Sequence, residues 1–243
     1  GMQRIMTNAL PTMYPDSKYA DCMPIGSLDV INNFPYQDIR DYYAKWYRPD
    51  LQGIMIVGDI NVDEMEAKLK KVFADVKAPV HPANRIYYPV ADNQEPLIFI
   101  GTDKEIETPS ISFFFKSEAF PDSLKNTINY YGIQYMLSMG ISMLNSRLAE
   151  IRQQADPPFT GASAGYGDFF VAKTKSAFGI DASSKIGGIE LAMKTILEEA
   201  ERARRFGFTE TEYDRARANY LQRVESAYNE REKMKNDTYV NEY

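Results

Sequence analysis

Hydrolytic metal chemistry needs about three side-chain ligands and one open coordination position. Ligand pairs usually sit at helical spacing, as in HExxH or its inverse HxxEH. This chain carries one histidine, His81, and one cysteine, Cys22, and neither motif occurs. His81 stands among prolines, in a stretch that reads as an exposed loop. Cys22 has no histidine near it and reads as a small buried or half-buried residue. A Ser-His-Asp triad would have to use His81, and no GxSxG elbow supports one. Ser110 and Ser117-Glu118 read as ordinary strand residues. Val57-Gly58-Asp59 follows a predicted strand, but no GxGxxG or phosphate-binding P-loop motif is present. Gly161, Gly165 and Gly167 are spaced along a predicted strand, where glycine permits close approach of another chain or sheet layer. The residues thus offer no catalytic group and no metal ligand set.

Composition narrows the function classes further. The formal net charge of −6 disfavours nucleic acid, whose phosphates need a basic face. The one dense basic run, Arg202-Ala203-Arg204-Arg205, lies beside Glu198, Glu199 and Glu201 and reads as a solvated helix end. One cysteine excludes an intrachain disulfide framework. No apolar run is long enough for a transmembrane helix, and the first 30 residues lack a signal-peptide core. Gly1-Met2 reads as a tag remnant, so a native leader is not observable. Most of the 17 tyrosines sit at helical spacing and are expected in the core, hydroxyls at the rim.

The elements that position these residues follow from periodicity. Residues 1–33 read as mostly extended or turn, with a short helix near Leu28. Ile39, Tyr42, Tyr43, Trp46 and Tyr47 mark an amphipathic helix over 36–47, broken by Arg48-Pro49-Asp50. Leu51–Val57 reads as a buried strand. Asn61, with Glu64, caps a helix whose core face is Met65, Leu69, Val72, Phe73 and Val76. Pro79, Pro82, Pro89 and Pro96 mark a linker. Beyond it, Leu97–Ile100 and Ile111–Phe115 are predicted strands. A helix follows from about Asp122, with a kink or break at Gly140, and a second runs from Leu144 to Gln154. Phe159–Gly167 and Phe169–Ala182 are predicted strands. A helix then runs from Gly187-Gly188 to Gly207, and Thr209 with Glu212 forms the capping box of the last one. Antiparallel strands with helices on one face make an α+β layer fold.

Several motifs in this order resemble one family. Pro24-Ile25-Gly26, then Tyr42-Tyr43-Ala44-Lys45-Trp46-Tyr47-Arg48-Pro49, then Met55-Ile56-Val57-Gly58-Asp59 resemble the M16, insulinase or pitrilysin-type, zinc metallopeptidases. Leu144-Asn145-Ser146-Arg147-Leu148-Ala149-Glu150-Ile151-Arg152 with Pro158-Phe159 resembles a helix and following strand of the next M16 domain. Thr209–Leu221 is similar to the family's closing helix. The likeness spans roughly residues 11–243.

The resemblance implies an antiparallel sheet with helices on one face. Residues 1–80 would be the C-terminal part of a catalytic-type domain without its metal-binding helix. Residues 81–96 would be a linker, and 97–243 a second, non-catalytic domain truncated at its C-terminal end. It also implies that a longer parent protein is a zinc-dependent endopeptidase, whose zinc ligands lie outside this chain. This segment would be an inactive scaffold that walls a peptide chamber, in contact with peptide or unfolded substrate and with the remaining M16 domains. In the family an Arg and a Tyr seven positions apart contact the substrate carbonyl. Here Arg152 and Phe159 hold those places, and Phe donates no hydrogen bond to an oxyanion. They are the candidate substrate-binding residues, with a scaffolding role expected. Bacterial relatives point to a periplasmic or envelope location. Two alternatives stand beside this reading: a non-catalytic M16-like subunit with a binding or assembly role, and an unrelated α+β binding module.

Overall fold

The computed structural model describes residues 1–22 and 25–242. Among these, the elements run α1 (Met2–Met13), α2 (Leu28–Asn33), α3 (Tyr36–Trp46), α4 (Val62–Val72), β1 (Ser110–Glu118), α5 (Ile128–Arg152), β2 (Gly161–Asp168), β3 (Lys175–Ser183), α6 (Ile189–Phe206), α7 (Glu210–Glu230) and α8 (Asn236–Glu242). The chain divides into two compact units, residues 1–24 with 87–222 and residues 25–86 with 223–243.

The first unit is built on a three-stranded antiparallel sheet of order β1-β3-β2. Strand side chains alternate between faces, so Ile111 and Phe113, Ala162 and Ala164, and Phe178, Ile180 and Ala182 all point one way. They pack against Leu144 and Leu148 of α5 and Ala192 and Ile196 of α6 to form the main core. The opposite face carries Ser112, Asp181 and Ser163 in one row and Phe114, Gly179 and Gly165 in the next. A Cβ on Gly179 would press the Phe114 ring at 3.4 Å, which is why glycine stands there.

The β2–β3 connection is held from outside the sheet. Phe170 adopts a left-handed φ of 53°, which is unfavourable for a bulky residue. Tyr14 is fully buried beside it and donates from its hydroxyl to the Phe169 carbonyl at 2.6 Å. The same hydroxyl accepts from the Val171 N–H, and Tyr19 accepts from Lys173. Val90 and Leu10 complete this second core with Phe169, Ala172 and Ala177. The Pro-rich segment is pinned at the same end. Thr174 donates to the Tyr88 carbonyl, Lys116 to Ala91, and the buried Lys175 ammonium pairs with Asp92 and Glu118.

In the second unit, α2 is capped by Ser27 and α4 by Asn61, each accepting from the N–H three residues on. Arg48, buried at the corner after α3, donates to the Ala83 carbonyl at 2.5 Å and lies 3.3 Å from the Asp50 carboxylate.

Several expectations are corrected. Residues 2–13 are helical although Pro11, in the last turn, lacks the N–H that would bond the Thr7 carbonyl. Gln52–Val57 is extended but joins no ladder among the described residues, and Ile54, Met55 and Ile56 are exposed. Leu97–Ile100 likewise joins no strand. A strand is stable only beside another, and neither run has a described neighbour. Val72, Phe73 and Val76 are exposed rather than core, as are Tyr36, Tyr42, Tyr43 and Tyr47 of the α3 region. Cys22 is exposed, just past a short 3₁₀ turn. β3 begins at Lys175 rather than Phe169, because residues 169–174 form the connection. Among the described residues nothing lies within 4 Å of a Cβ built on Gly161, Gly165 or Gly167.

Gly140 does not break α5, which runs unbroken for 25 residues. Its flank is open, with no atom within 4 Å of an added Cβ. Gly140→Ala should therefore stabilise the chain by up to about 1 kcal/mol, the helix-propensity difference, read from the shift in urea midpoint.

Candidate functional site

The run Leu144–Leu148 gathers most of what fixes this unit. Leu144 and Leu148 lie four residues apart on α5 and enter the core, 4% and 0% exposed. Between them, polar side chains work sideways. Asn145 donates to the Ala164 carbonyl at 2.9 Å and accepts from the Ala164 N–H at 2.7 Å. Arg147, buried, donates from Nε and Nη2 to the two Glu212 oxygens at 2.5 and 2.9 Å. A second Nη2 bond, 3.1 Å long, reaches the Gly207 carbonyl, and the guanidinium lies 4.6 Å from the Phe208 ring centroid.

Gly207 ends α6 with φ 67°, and Glu212 lies in the first turn of α7. Thr209 and Glu212 form the expected reciprocal capping box: Thr209 N–H to Glu212 at 2.7 Å and Glu212 N–H to Thr209 Oγ1 at 3.3 Å. One guanidinium thus ties α5, the end of α6 and the start of α7. The planar fork and the carboxylate suit each other, as charge-assisted bidentate pairs do. The Arg147 bond, with help from Thr209, holds the Glu212 carboxyl well below its ordinary 4.5, at about 2.

The edge of β2 is the other feature. The Phe169 N–H donates to the Lys175 carbonyl, which sets the ladder phase. Odd-numbered residues of β2 therefore bond to β3, and Ala162, Ala164, Tyr166 and Asp168 turn their backbone groups outward. Residues 165–168 are exposed.

Arg152 is exposed at the last position of α5. Phe159 is 1% exposed and packs in the main core. The two side chains therefore face different surroundings. The Arg202–Arg205 run is solvated and paired with Glu199 and Glu201. His81 is exposed in its loop. Pro24 of the Pro24-Ile25-Gly26 motif lies outside the described residues. No group of three or more His, Cys, Asp or Glu among the described residues could hold a metal ion. The described residues do not fit a zinc site. Asn145 and Arg147 stand within the Leu144–Arg152 motif, but that motif alone assigns them no role. The available signal was two polar residues set inside a Leu144–Leu148 core stripe, where burial demands partners.

A carboxyl held down by a cation contributes stability above its ordinary pKa and loses it on protonation. The Glu212 contribution is therefore complete above about pH 4.5 and fades as pH falls toward 2. Glu212→Gln, which leaves Arg147 buried without its counter-charge, should cost about 2–4 kcal/mol at pH 7 and flatten stability over that acid window. Urea unfolding across pH measures both.

Three comparisons bear on identity. The model of the family described as the peptidase M16 inactive domain matches residues 33–220. An Arabidopsis thaliana protein described as zinc protease PQQL-like is 27% identical over 232 residues, 95% of this chain and 21% of that protein. The crystal structure of the periplasmic protease PqqL from Escherichia coli superposes with a TM-score of 0.85 at 20% identity, over 99% of this chain and 26% of that one. The ferredoxin protease FusC, solved as an E83A mutant in complex with Arabidopsis ferredoxin, matches with a TM-score of 0.66 at 22% identity, over 90% of this chain and 24% of that one. The chain spans about a fifth to a quarter of the length of these relatives. No described helix is long and apolar enough to cross a membrane. The family match takes in α3, the whole sheet and the Arg147–Glu212 joint, and the chain belongs to the peptidase M16 inactive domain family.

Proposed function

We propose that this chain is a non-catalytic wall of a longer zinc metalloendopeptidase, acting on extended or unfolded peptide. The observation that carries the reading is the asymmetry of the sheet. One face is buried under α5 and α6; on the other, Ala177 is buried in the second core at one end, Phe114 shares a row with Gly179 and Gly165, and Ser112, Asp181 and Ser163 form the next row. That last row is low and polar and tolerates water and a passing main chain. The exposed stretch of the β2 edge offers backbone groups to an extended segment, as strand addition requires. The family match and the relatives' description as zinc proteases support the same assignment.

In this reading zinc and the catalytic groups are supplied by the rest of the longer protein. Its remaining M16 domains also cover the apolar surfaces that the second unit exposes, Ile54–Ile56 and the tyrosines of α3. Patches of that kind mark interaction surfaces. Residues 1–80 are assigned to the end of a catalytic-type domain, 81–96 to the joint and 97–243 to the inactive domain. Arg152 is the candidate that meets substrate, since its guanidinium is exposed. Phe159 serves from below by fixing the chain just ahead of β2. The periplasm or cell envelope is the proposed location, by likeness to the periplasmic protease PqqL.

The test compares this chain with its longer parent. The parent is expected to bind one zinc per chain and cleave an unstructured peptide, while this chain binds none and is inert. A parent that is also metal-free and inert would instead make the protein a binding or assembly subunit. In an active parent, Arg152→Ala should raise KM about three- to tenfold with kcat little changed, the mark of lost uniform binding.

A further inference from the structure

An exposed strand edge invites pairing with other chains, and soluble proteins blunt it. β2 is such an edge. At Ala164 both outward backbone groups are taken by the Asn145 carboxamide, at 2.7 and 2.9 Å. Those are the two bonds that a residue of an adjoining antiparallel strand would make. Asn145 is fixed in place because its neighbours Leu144 and Arg147 and its partner Leu148 are all buried. Past Ala164 the strand is different. Gly165, Tyr166, Gly167 and Asp168 are exposed, and nothing within the chain crowds the two glycines.

We propose that Asn145 is a stop on the β2 edge. It stands in for one residue of a missing neighbour strand and confines an incoming extended peptide to Tyr166–Asp168. The same two bonds keep the Gly161–Ala164 half from pairing with a second copy of the chain. The inference rests on the peptide-wall reading for its ligand, while the hydrogen-bonded stop itself does not depend on it. A peptide that displaced Asn145 would exchange two bonds for two and gain nothing at Ala164. Removing the carboxamide leaves both Ala164 groups available and lengthens the usable ladder.

The test uses this chain with a labelled, unstructured peptide of about ten alternating valine and threonine residues, long enough for a full strand. Fluorescence anisotropy reads affinity and sedimentation reads self-association. Asn145→Ala should bind the peptide about tenfold more tightly, or self-associate where the unaltered chain stays monomeric, as two recovered hydrogen bonds allow. Asn145→Asp keeps the acceptor for the Ala164 N–H and loses the donor, so an effect of about threefold is expected. It carries the test should the alanine variant fail to fold. Unchanged affinity and association in a folded variant overturn the stop. Weaker binding also overturns it, since Asn145 would then be a peptide contact. If the peptide binds neither protein and association is unchanged, the stop fails alone. The wall reading is judged separately, by zinc content and cleavage in the parent.

Discussion

The first unit depends on one buried guanidinium. Arg147 sits beside the core face of α5, and its fork reaches the Glu212 carboxylate and the Gly207 carbonyl together. Gly207 closes α6 and Glu212 opens α7, so the bend between these helices is set by a side chain on a third. A charge in this position is costly unless it is paired and hydrogen-bonded. That cost makes the arrangement specific: an α6–α7 corner in any other place leaves Arg147 buried without a counter-ion. α5 and α6 in turn cover one face of the sheet through Leu144, Leu148, Ala192 and Ile196.

The opposite face is partly committed too: Ala177 is buried in the second core and Phe114 packs beside Phe169 and Phe170, which leaves Ser112, Asp181 and Ser163 as its low, polar part. Tyr14 and Tyr19 secure the hairpin turn through their hydroxyls, so the C-terminal end of β2 is held. α5 therefore has two duties from a single turn. Arg147 orders the helices behind the sheet, and Asn145 shapes the edge in front. A peptide-contacting wall needs this kind of rigid support and no reactive group of its own.

Helix ends are legible in the sequence because capping is local chemistry. Asn61 and Thr209 each accept from the N–H three residues on, while Ser27 and Thr127 do the same without having stood out from their neighbours. The three-stranded sheet is legible from alternation and turn residues, with β3 read six residues too long because Phe169 and Phe170 look like strand residues. Phe169 packs against Tyr14, a contact across 155 positions, which no local pattern encodes. Leu51–Val57 and Leu97–Ile100 have strand composition, but pairing depends on neighbours absent from the described residues. Gly140 reads as a breaker although a helix flanked by good formers absorbs it. At the site, the capping box is visible as Thr-x-x-Glu, but the Arg147 bond across 65 positions is not.

The central claim is that substrate passes along the exposed half of β2 in a longer peptidase. The direct measurement replaces Tyr166 by a photo-reactive aromatic residue in that longer protein and irradiates it during peptide turnover. The account predicts a covalent peptide adduct at position 166, suppressed by excess unlabelled peptide. Efficient cleavage with no adduct at 166, while a probe elsewhere on the protein captures the peptide, would contradict it.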